Sequence, residues 1–212
     1  IALAKKGPQT KKFPAIFVSH GMPLMALAES PTHFFLKELG KKLGRPKAII
    51  CASAHWETVN PMVSGPAYPE TIHDFYGFPR ELYEVRYSSP GAPYLAKKIV
   101  ELFTDNGIDS RIDLERGLDH GAWVPLYLMY PQSDIPVVQL SVQGDATLRS
   151  HFRLGEILSS LRNREVLIMG SGGATHNLEM IHGRKTRDEP EPFAVAFDAW
   201  LETGPSATSA CA

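Results

Sequence analysis

Residues 47–57, Lys-Ala-Ile-Ile-Cys-Ala-Ser-Ala-His-Trp-Glu, decide the fold of this chain. The apolar run at 47–53 predicts a buried strand whose end delivers His55 among small residues. Similar apolar runs recur at 13–19, 136–142 and 165–169. Because segments with helical patterns separate these runs, the sequence predicts an α/β protein with a central, mostly parallel or mixed sheet flanked by helices.

Helix signals occupy the segments between the strands. Ser30 is a candidate N-cap followed by Pro31, and the Gly-Arg-Pro segment at 44–46 ends that helix. Helices are predicted at 30–42, 92–106, 121–130, 148–161 and 192–201. Further strands are predicted at 59–64, 82–87 and 108–114, and a long loop rich in Pro, Gly and aromatic residues at 66–79.

The length and charge of the chain restrict its class. Its 212 residues suit one catalytic domain at 13–202, after an N-terminal extension at 1–12 and before an irregular tail at 203–212 that is typical of disordered or non-native sequence. A formal net charge of −1 predicts no affinity for nucleic acid or for an anionic membrane. Its apolar runs are too short to span a bilayer, and two cysteines make no disulfide framework, so we expect a cytoplasmic protein.

Four of the eight histidines lie in short, small-residue-rich segments that follow predicted strands or loops, namely His20, His55, His120 and His176. The carboxyl ends of strands are where open α/β sheets place ligand sites. Neutral imidazole binds Zn, Fe, Ni and Cu, and three imidazoles can hold a catalytic metal with a position left open. The joint pattern therefore predicts a metalloenzyme.

The remaining polar residues have alternative interpretations. Asp119 either orients the imidazole of His120 or caps the helix that follows. His73 lies in the aromatic loop and either packs there or contacts substrate, which we favour. The other three histidines lie in helix or turn contexts and are expected at the surface: His33, His151 and His182.

Five sequence blocks carry a resemblance to a known family. They are Ser-His-Gly-Met-Pro at 19–23, Ser-Ala-His-Trp at 53–56, His-Asp-Phe-Tyr-Gly-Phe-Pro at 73–79, Leu-Asp-His-Gly-Ala-Trp-Val-Pro-Leu at 118–126 and Gly-Gly-Ala-Thr-His-Asn-Leu at 172–178. Together they resemble the DOPA-dioxygenase-type class III extradiol ring-cleavage dioxygenases, the superfamily of the protocatechuate 4,5-dioxygenase catalytic subunit. The resemblance extends over residues 13–200 in motif order.

The resemblance implies a mononuclear metal site, with Fe(II) in the active dioxygenases and Zn(II) in some isolated bacterial members. It implies that His20 and His55 are metal ligands and that His176 is a further ligand or the acid/base. It also implies that His120 contacts substrate and assists proton transfer. A final His or Glu ligand is expected beyond a helix such as 192–201, and no histidine follows His182 in this sequence.

The function implied by the resemblance is extradiol opening of a DOPA-like catechol with O₂. His73, Phe75 and Tyr76 would then contact the substrate, with the aromatic side chains as an apolar wall. One alternative is a zinc-dependent hydrolase that uses the same histidines. Another is a Memo-like, non-enzymatic binding protein. We expect a monomer or homodimer whose partners are small molecules.

Overall fold

The computed structural model describes residues 12–176 and 190–203. The chain divides into two compact units, Ile1–Gly172 and Gly173–Ala212. The first unit contains six strands: β1 (Ala15–Ser19), β2 (Ala48–Glu57), β3 (Met62–Ser64), β4 (Arg111–Asp113), β5 (Val137–Val142) and β6 (Val166–Gly172). These strands form one sheet in the order β1-β6-β2-β5-β3-β4.

The sheet is mostly parallel. β1, β6, β2 and β5 run in the same direction, whereas β3 pairs antiparallel with β5 through Val63 and Leu140. β4 then pairs parallel with β3. This arrangement confirms the predicted α/β class with a mixed, mostly parallel sheet, and it brings the carboxyl ends of β1, β6 and β2 to one edge.

The helices begin and end largely where the sequence signals predict. In the first unit they are α1 (Pro31–Leu43), α2 (Arg80–Glu84), α3 (Pro93–Asp105), α4 (His120–Met129) and α5 (Leu148–Leu158), with 3-10 turns at Pro23–Ala26 and Ser159–Arg164. The Ser30 hydroxyl accepts from the backbone N–H of His33 at 3.1 Å, and Gly44 ends α1 with a φ of 75°. In the second unit, α6 comprises Pro192–Thr203.

Helices cover both faces of the sheet, and successive residues of β2 pack against opposite faces. Ile49 and Cys51 belong to a core shared with Trp123 of α4. Ile50 belongs to a second core shared with Phe103 of α3 and with side chains of α5. A strand that is buried on both faces requires the continuous apolar run that predicted β2 from the sequence.

Three sequence predictions are wrong or incomplete. The strand predicted at 82–87 is instead the short helix α2, which begins after Pro79 and is bridged by an ion pair between Arg80 and Glu84 at 3.0 Å. β2 and β6 extend beyond their predicted ends, to Glu57 and Gly172. His33 is buried, with 8% of its surface exposed, because its ring bonds to the carbonyl of Met25.

The proposed domain limits stay predictions. Residues 1–11 and 204–212, and His182, lie outside the described residues. Among the helices that the structure describes, none has both the length and the apolar character needed to cross a membrane.

Candidate metal centre

Three histidines from separate elements meet at the carboxyl edge of the sheet. His20 follows β1 directly, His55 lies near the end of β2, and His120 is the first residue of α4. One ring nitrogen from each lies within 4.8 Å of the others. The Nε2 atoms of His20 and His55 are 2.9 Å apart. The ring centroid of His120 lies 3.9 Å from that of His55 and 5.2 Å from that of His20.

The strand pairing explains why His20 and His55 converge. β1 and β2 both pair with β6, so their carboxyl ends lie on either side of one central strand. β2 is also irregular near its end, because it advances from Ala52 to Glu57 while β5 advances from Leu140 to Val142. Bulges of this kind redirect side chains next to active sites. His55 lies within this irregular stretch.

Asp119 anchors the first turn of α4 to the sheet. Its carboxylate is fully buried and accepts from the backbone N–H of Ala122 at 3.2 Å, which confirms the helix-capping interpretation. It also accepts from the hydroxyl of Ser53 at 2.6 Å and from the guanidinium of Arg116 at 2.7 Å. The amide of Gln139 is a further donor. These contacts hold the start of α4, and therefore His120, against β2.

Asp74 is a functional candidate that sequence reasoning missed. Its Oδ1 accepts from the ring Nδ1 of His120 at 2.9 Å and from the backbone N–H of the same residue at 3.0 Å. Its Oδ2 lies 3.9 Å from Nδ1 of His55. Burial raises the pKa of Asp74, but the hydrogen bonds from His120 outweigh burial and leave the pKa below its ordinary value. An ionised Asp74 therefore faces two imidazoles.

His20 is neutral at physiological pH. Burial, together with the neighbouring His120 and His55, lowers the pKa of His20 from 6.5 to about 4. Its Nδ1 lies 3.0 Å from the hydroxyl of Ser171. Neutral imidazole is the form that binds a metal, because protonation of both ring nitrogens removes the lone pair.

The donor set fits a mononuclear metal. Two metal–nitrogen bonds of about 2.0–2.1 Å can span the 2.9 Å between the Nε2 atoms of His20 and His55. The third imidazole, His120, lies beside them, and the carboxylate of Asp74 orients its ring. Metal sites in proteins combine these features: converging imidazoles with hydrogen-bonded second nitrogens.

The three loop residues predicted to contact substrate lie at different distances from the histidine cluster or differ in their exposure to solvent. The ring of Phe75 lies 5.8 Å from that of His120. His73 packs 5.8 Å from the ring of Trp123 and donates from Nε2 to the carbonyl of Val85 at 3.1 Å. Tyr76 is 91% exposed. The structure thus brings Phe75 to the histidine cluster, and the roles of His73 and Tyr76 stay predictions.

His176 belongs to the second unit, Gly173–Ala212, whereas the three-histidine cluster of His20, His55 and His120 belongs to the first. Its role as ligand or acid/base stays a prediction.

Comparison with known proteins decides the family. Residues 14–203 match the family described as "Catalytic LigB subunit of aromatic ring-opening dioxygenase". The chain belongs to this LigB family. It is 49% identical over 191 residues to a 4,5-DOPA dioxygenase extradiol from Beta vulgaris, which covers 88% of this chain and 70% of the relative. A protein of the same name from Escherichia coli K12 is 39% identical, over 90% of this chain and 70% of the relative.

A solved structure shares the LigB fold. It is an uncharacterized protein, JW3007, from Escherichia coli K12, with a TM-score of 0.73 and 35% sequence identity over 90% of this chain and 72% of that one. The resemblance inferred from the five sequence blocks is confirmed. This LigB-family protein is an aromatic ring-opening dioxygenase, an enzyme whose substrates are a small aromatic molecule and O₂, and its three-histidine cluster is compatible with a metal cofactor.

Proposed function

We propose that this enzyme opens the ring of DOPA, or of a closely related catechol, beside its diol at a mononuclear Fe(II) held by His20 and His55. The observation that carries the proposal is the convergence of three imidazole nitrogens within 4.8 Å at the carboxyl edge of the sheet. The relatives named 4,5-DOPA dioxygenase extradiol support the choice of substrate and of the extradiol position.

A bound metal would supply chemistry that the side chains of the site lack. Bound Fe(II) would supply the redox chemistry with O₂ that no amino-acid side chain provides. Zinc binds the same imidazoles but has no redox chemistry, so the Zn(II)-loaded protein is expected to be inactive. His20 and His55 would hold the metal, and the neutral ring of His20 has a lone pair to offer it.

His120 is suited to receive a proton from the catechol. Its Nδ1–H donates to the Asp74 carboxylate, which leaves the lone pair on Nε2. Accepting a second proton there produces an imidazolium, and the adjacent carboxylate stabilises that charge. The same ring can return the proton when the ring-opened product forms. His120 and Asp74 therefore act as an acid/base pair.

The aromatic loop supplies one wall of the substrate site. Phe75 packs between His120 and the ring of Phe78, with centroid distances of 5.8 and 5.3 Å. An apolar wall beside a polar metal centre favours a flat aromatic ring, and it excludes water from the reacting carbons.

His176 is proposed as a further ligand or acid/base on the basis of the family resemblance. The test is His176→Ala, assayed for metal content and for turnover. We expect loss of turnover whether or not metal content survives. Normal turnover in this variant would remove His176 from the mechanism.

The function itself is tested by anaerobic loading with Fe(II), followed by oxygen-electrode assays with DOPA, protocatechuate and unsubstituted catechol. We expect oxygen uptake, fastest with DOPA, and a yellow ring-opened product. His55→Ala should abolish uptake. His151→Ala is the matched control, because its ring bonds to the carbonyl of Thr147 outside the three-histidine cluster. Stoichiometric Fe(II) without oxygen uptake on any catechol would refute the proposal.

A further inference from the structure

We propose that Ser171 is a positioning residue that holds His20 in the Nδ1-protonated form, so that the Nε2 lone pair is directed at the metal. This inference rests on the proposed role of His20 as a metal ligand. The sequence predicts no role for Ser171, because this residue lies in a glycine-rich stretch that predicts a turn. In the structure it is part of β6.

The position of Ser171 is set by two neighbouring strands. It pairs with Val18 of β1 on one side and with Ser53 of β2 on the other. Ser171 is buried, with 3% of the residue's surface exposed. The backbone N–H of His20 bonds to the carbonyl of Gly172, the next residue of β6. Ser171 therefore lies at the centre of the sheet edge, directly beside the His20 ring.

The direction of each hydrogen bond follows from counting protons. A serine hydroxyl has one proton to donate, and a backbone carbonyl can only accept. Ser171 donates its proton to the carbonyl of Gly121. Its oxygen must therefore accept from Nδ1 of His20, 3.0 Å away, which places the ring proton on Nδ1. The lone pair of His20 is then on Nε2, the atom that faces His55.

The carbonyl of Gly121 is available because of a proline. Gly121 lies in the first turn of α4, and its carbonyl would normally accept from the backbone N–H four residues later. That residue is Pro125, which has no N–H. The hydroxyl of Ser171 supplies the missing donor to a buried carbonyl. The orientation of His20 therefore depends, through Ser171 and the carbonyl of Gly121, on the proline in α4.

The opposite tautomer of His20 would be costly in this arrangement. A proton on Nε2 would leave Nδ1 as an acceptor, and Ser171 cannot donate to Nδ1 and to Gly121 at once. One buried acceptor would then lose its partner. Gly121 cannot move away easily, because α4 packs so closely on β2 that a Cβ at this position would lie 2.4 Å from the Ser53 hydroxyl.

The test compares Ser171→Ala with Ser171→Thr in the full chain. In metal-free protein labelled with ¹⁵N-histidine, long-range ¹H–¹⁵N spectra report which ring nitrogen of His20 bears the proton. We expect Nδ1 protonation in the wild type and in Ser171→Thr, and its loss in Ser171→Ala. Zn(II) titration is expected to show about 10- to 100-fold weaker binding for Ser171→Ala, with Ser171→Thr restoring the affinity.

Ser141→Ala is the matched control. Ser141 is also a buried serine in a strand, but its hydroxyl bonds to Thr58 and to the backbone of Met62. Its replacement should leave both the His20 tautomer and the Zn(II) affinity unchanged. Unaltered Nδ1 protonation and affinity in Ser171→Ala would overturn the proposal. Failure of the wild type to bind Zn(II) would overturn the metal site itself, and the spectra of metal-free protein would still decide the role of Ser171.

Discussion

At the residue scale, hydrogen-bond acceptors determine where the protons of the histidine cluster lie. Asp74 accepts the ring proton of His120, and the oxygen of Ser171 accepts that of His20. In both rings the nitrogen left with the lone pair is Nε2. A metal ligand and a proton acceptor both need such a lone pair, so the same hydrogen-bonding arrangement serves two different chemical roles.

The acid/base role of His120 depends on the charge of Asp74. Replacing Asp74 by Asn keeps the size and one acceptor oxygen but removes the negative charge that stabilises the imidazolium. We expect kcat to fall by about 10²-fold or more, with unchanged Fe(II) content. Asp134→Asn is the control, because Asp134 is an exposed carboxylate paired with Arg45. A kcat for Asp74→Asn equal to that of the control would contradict the acid/base pair.

The depressed pKa of His20 has a consequence for the stability of the metal-free chain. The folded pKa, about 4, lies below the unfolded value of 6.5, so between these values the unfolded chain binds more protons than the folded one. The contribution of His20 to stability is therefore fully present above pH 6.5 and falls as the pH is lowered towards 4, by about 3 kcal/mol.

Chemical denaturation of the metal-free protein at a series of pH values measures this effect. His20→Gln removes the titrating group, so its stability should depend less steeply on pH between 6.5 and 4 than that of the wild type. Parallel pH profiles for the two proteins would show that His20 is not the group responsible.

At the element scale, close contact between α1 and α4 depends on a glycine. A Cβ at Gly40 of α1 would lie 2.1 Å from the backbone carbonyl oxygen of Met129, at the end of α4. Backbone cannot rotate away as a flexible side chain can. We expect Gly40→Ala to destabilise the protein by about 1–3 kcal/mol, because the two helices must separate.

Gly155 offers a matched comparison within α5. A Cβ there would meet no atom within 4 Å, so Gly155→Ala should stabilise the helix by about 0.5–1 kcal/mol. Free energies of unfolding from urea titration measure both variants. Equal effects of the two substitutions would show that the α1–α4 contact is looser than the structure indicates.

Most helices and strands could be predicted from the sequence because their caps, stops and apolar runs agree with how each segment packs in the fold. The Ser30 cap, the Gly44 stop and the doubly buried run of β2 each act within a few residues. The strand predicted at 82–87 is wrong because α2, at about one helical turn, is too short to show a helical period. The end of β2 extends past its apolar run, since pairing with β5 resumes at Glu57 after the irregular stretch.

At the scale of the whole molecule, topology decides how much of the site a sequence can reveal. Parallel strands bring their carboxyl ends to one edge, so the grouping of His20 with His55 could be predicted from two strand endings. The pairing of Asp74 with His120 joins residues 46 positions apart through an irregular loop, and no local pattern indicates it. The link from Ser171 to Gly121 depends on β6 lying between β1 and β2.

Identification of the product formed from DOPA tests the central claim most directly. Fe(II)-loaded enzyme is allowed to react with DOPA and O₂, and the product is analysed by mass spectrometry and absorbance. The account predicts a yellow, ring-opened semialdehyde whose mass equals that of DOPA plus one whole molecule of O₂. A quinone, formed by loss of hydrogen from DOPA without incorporation of oxygen, would contradict the account, as would recovery of DOPA unchanged.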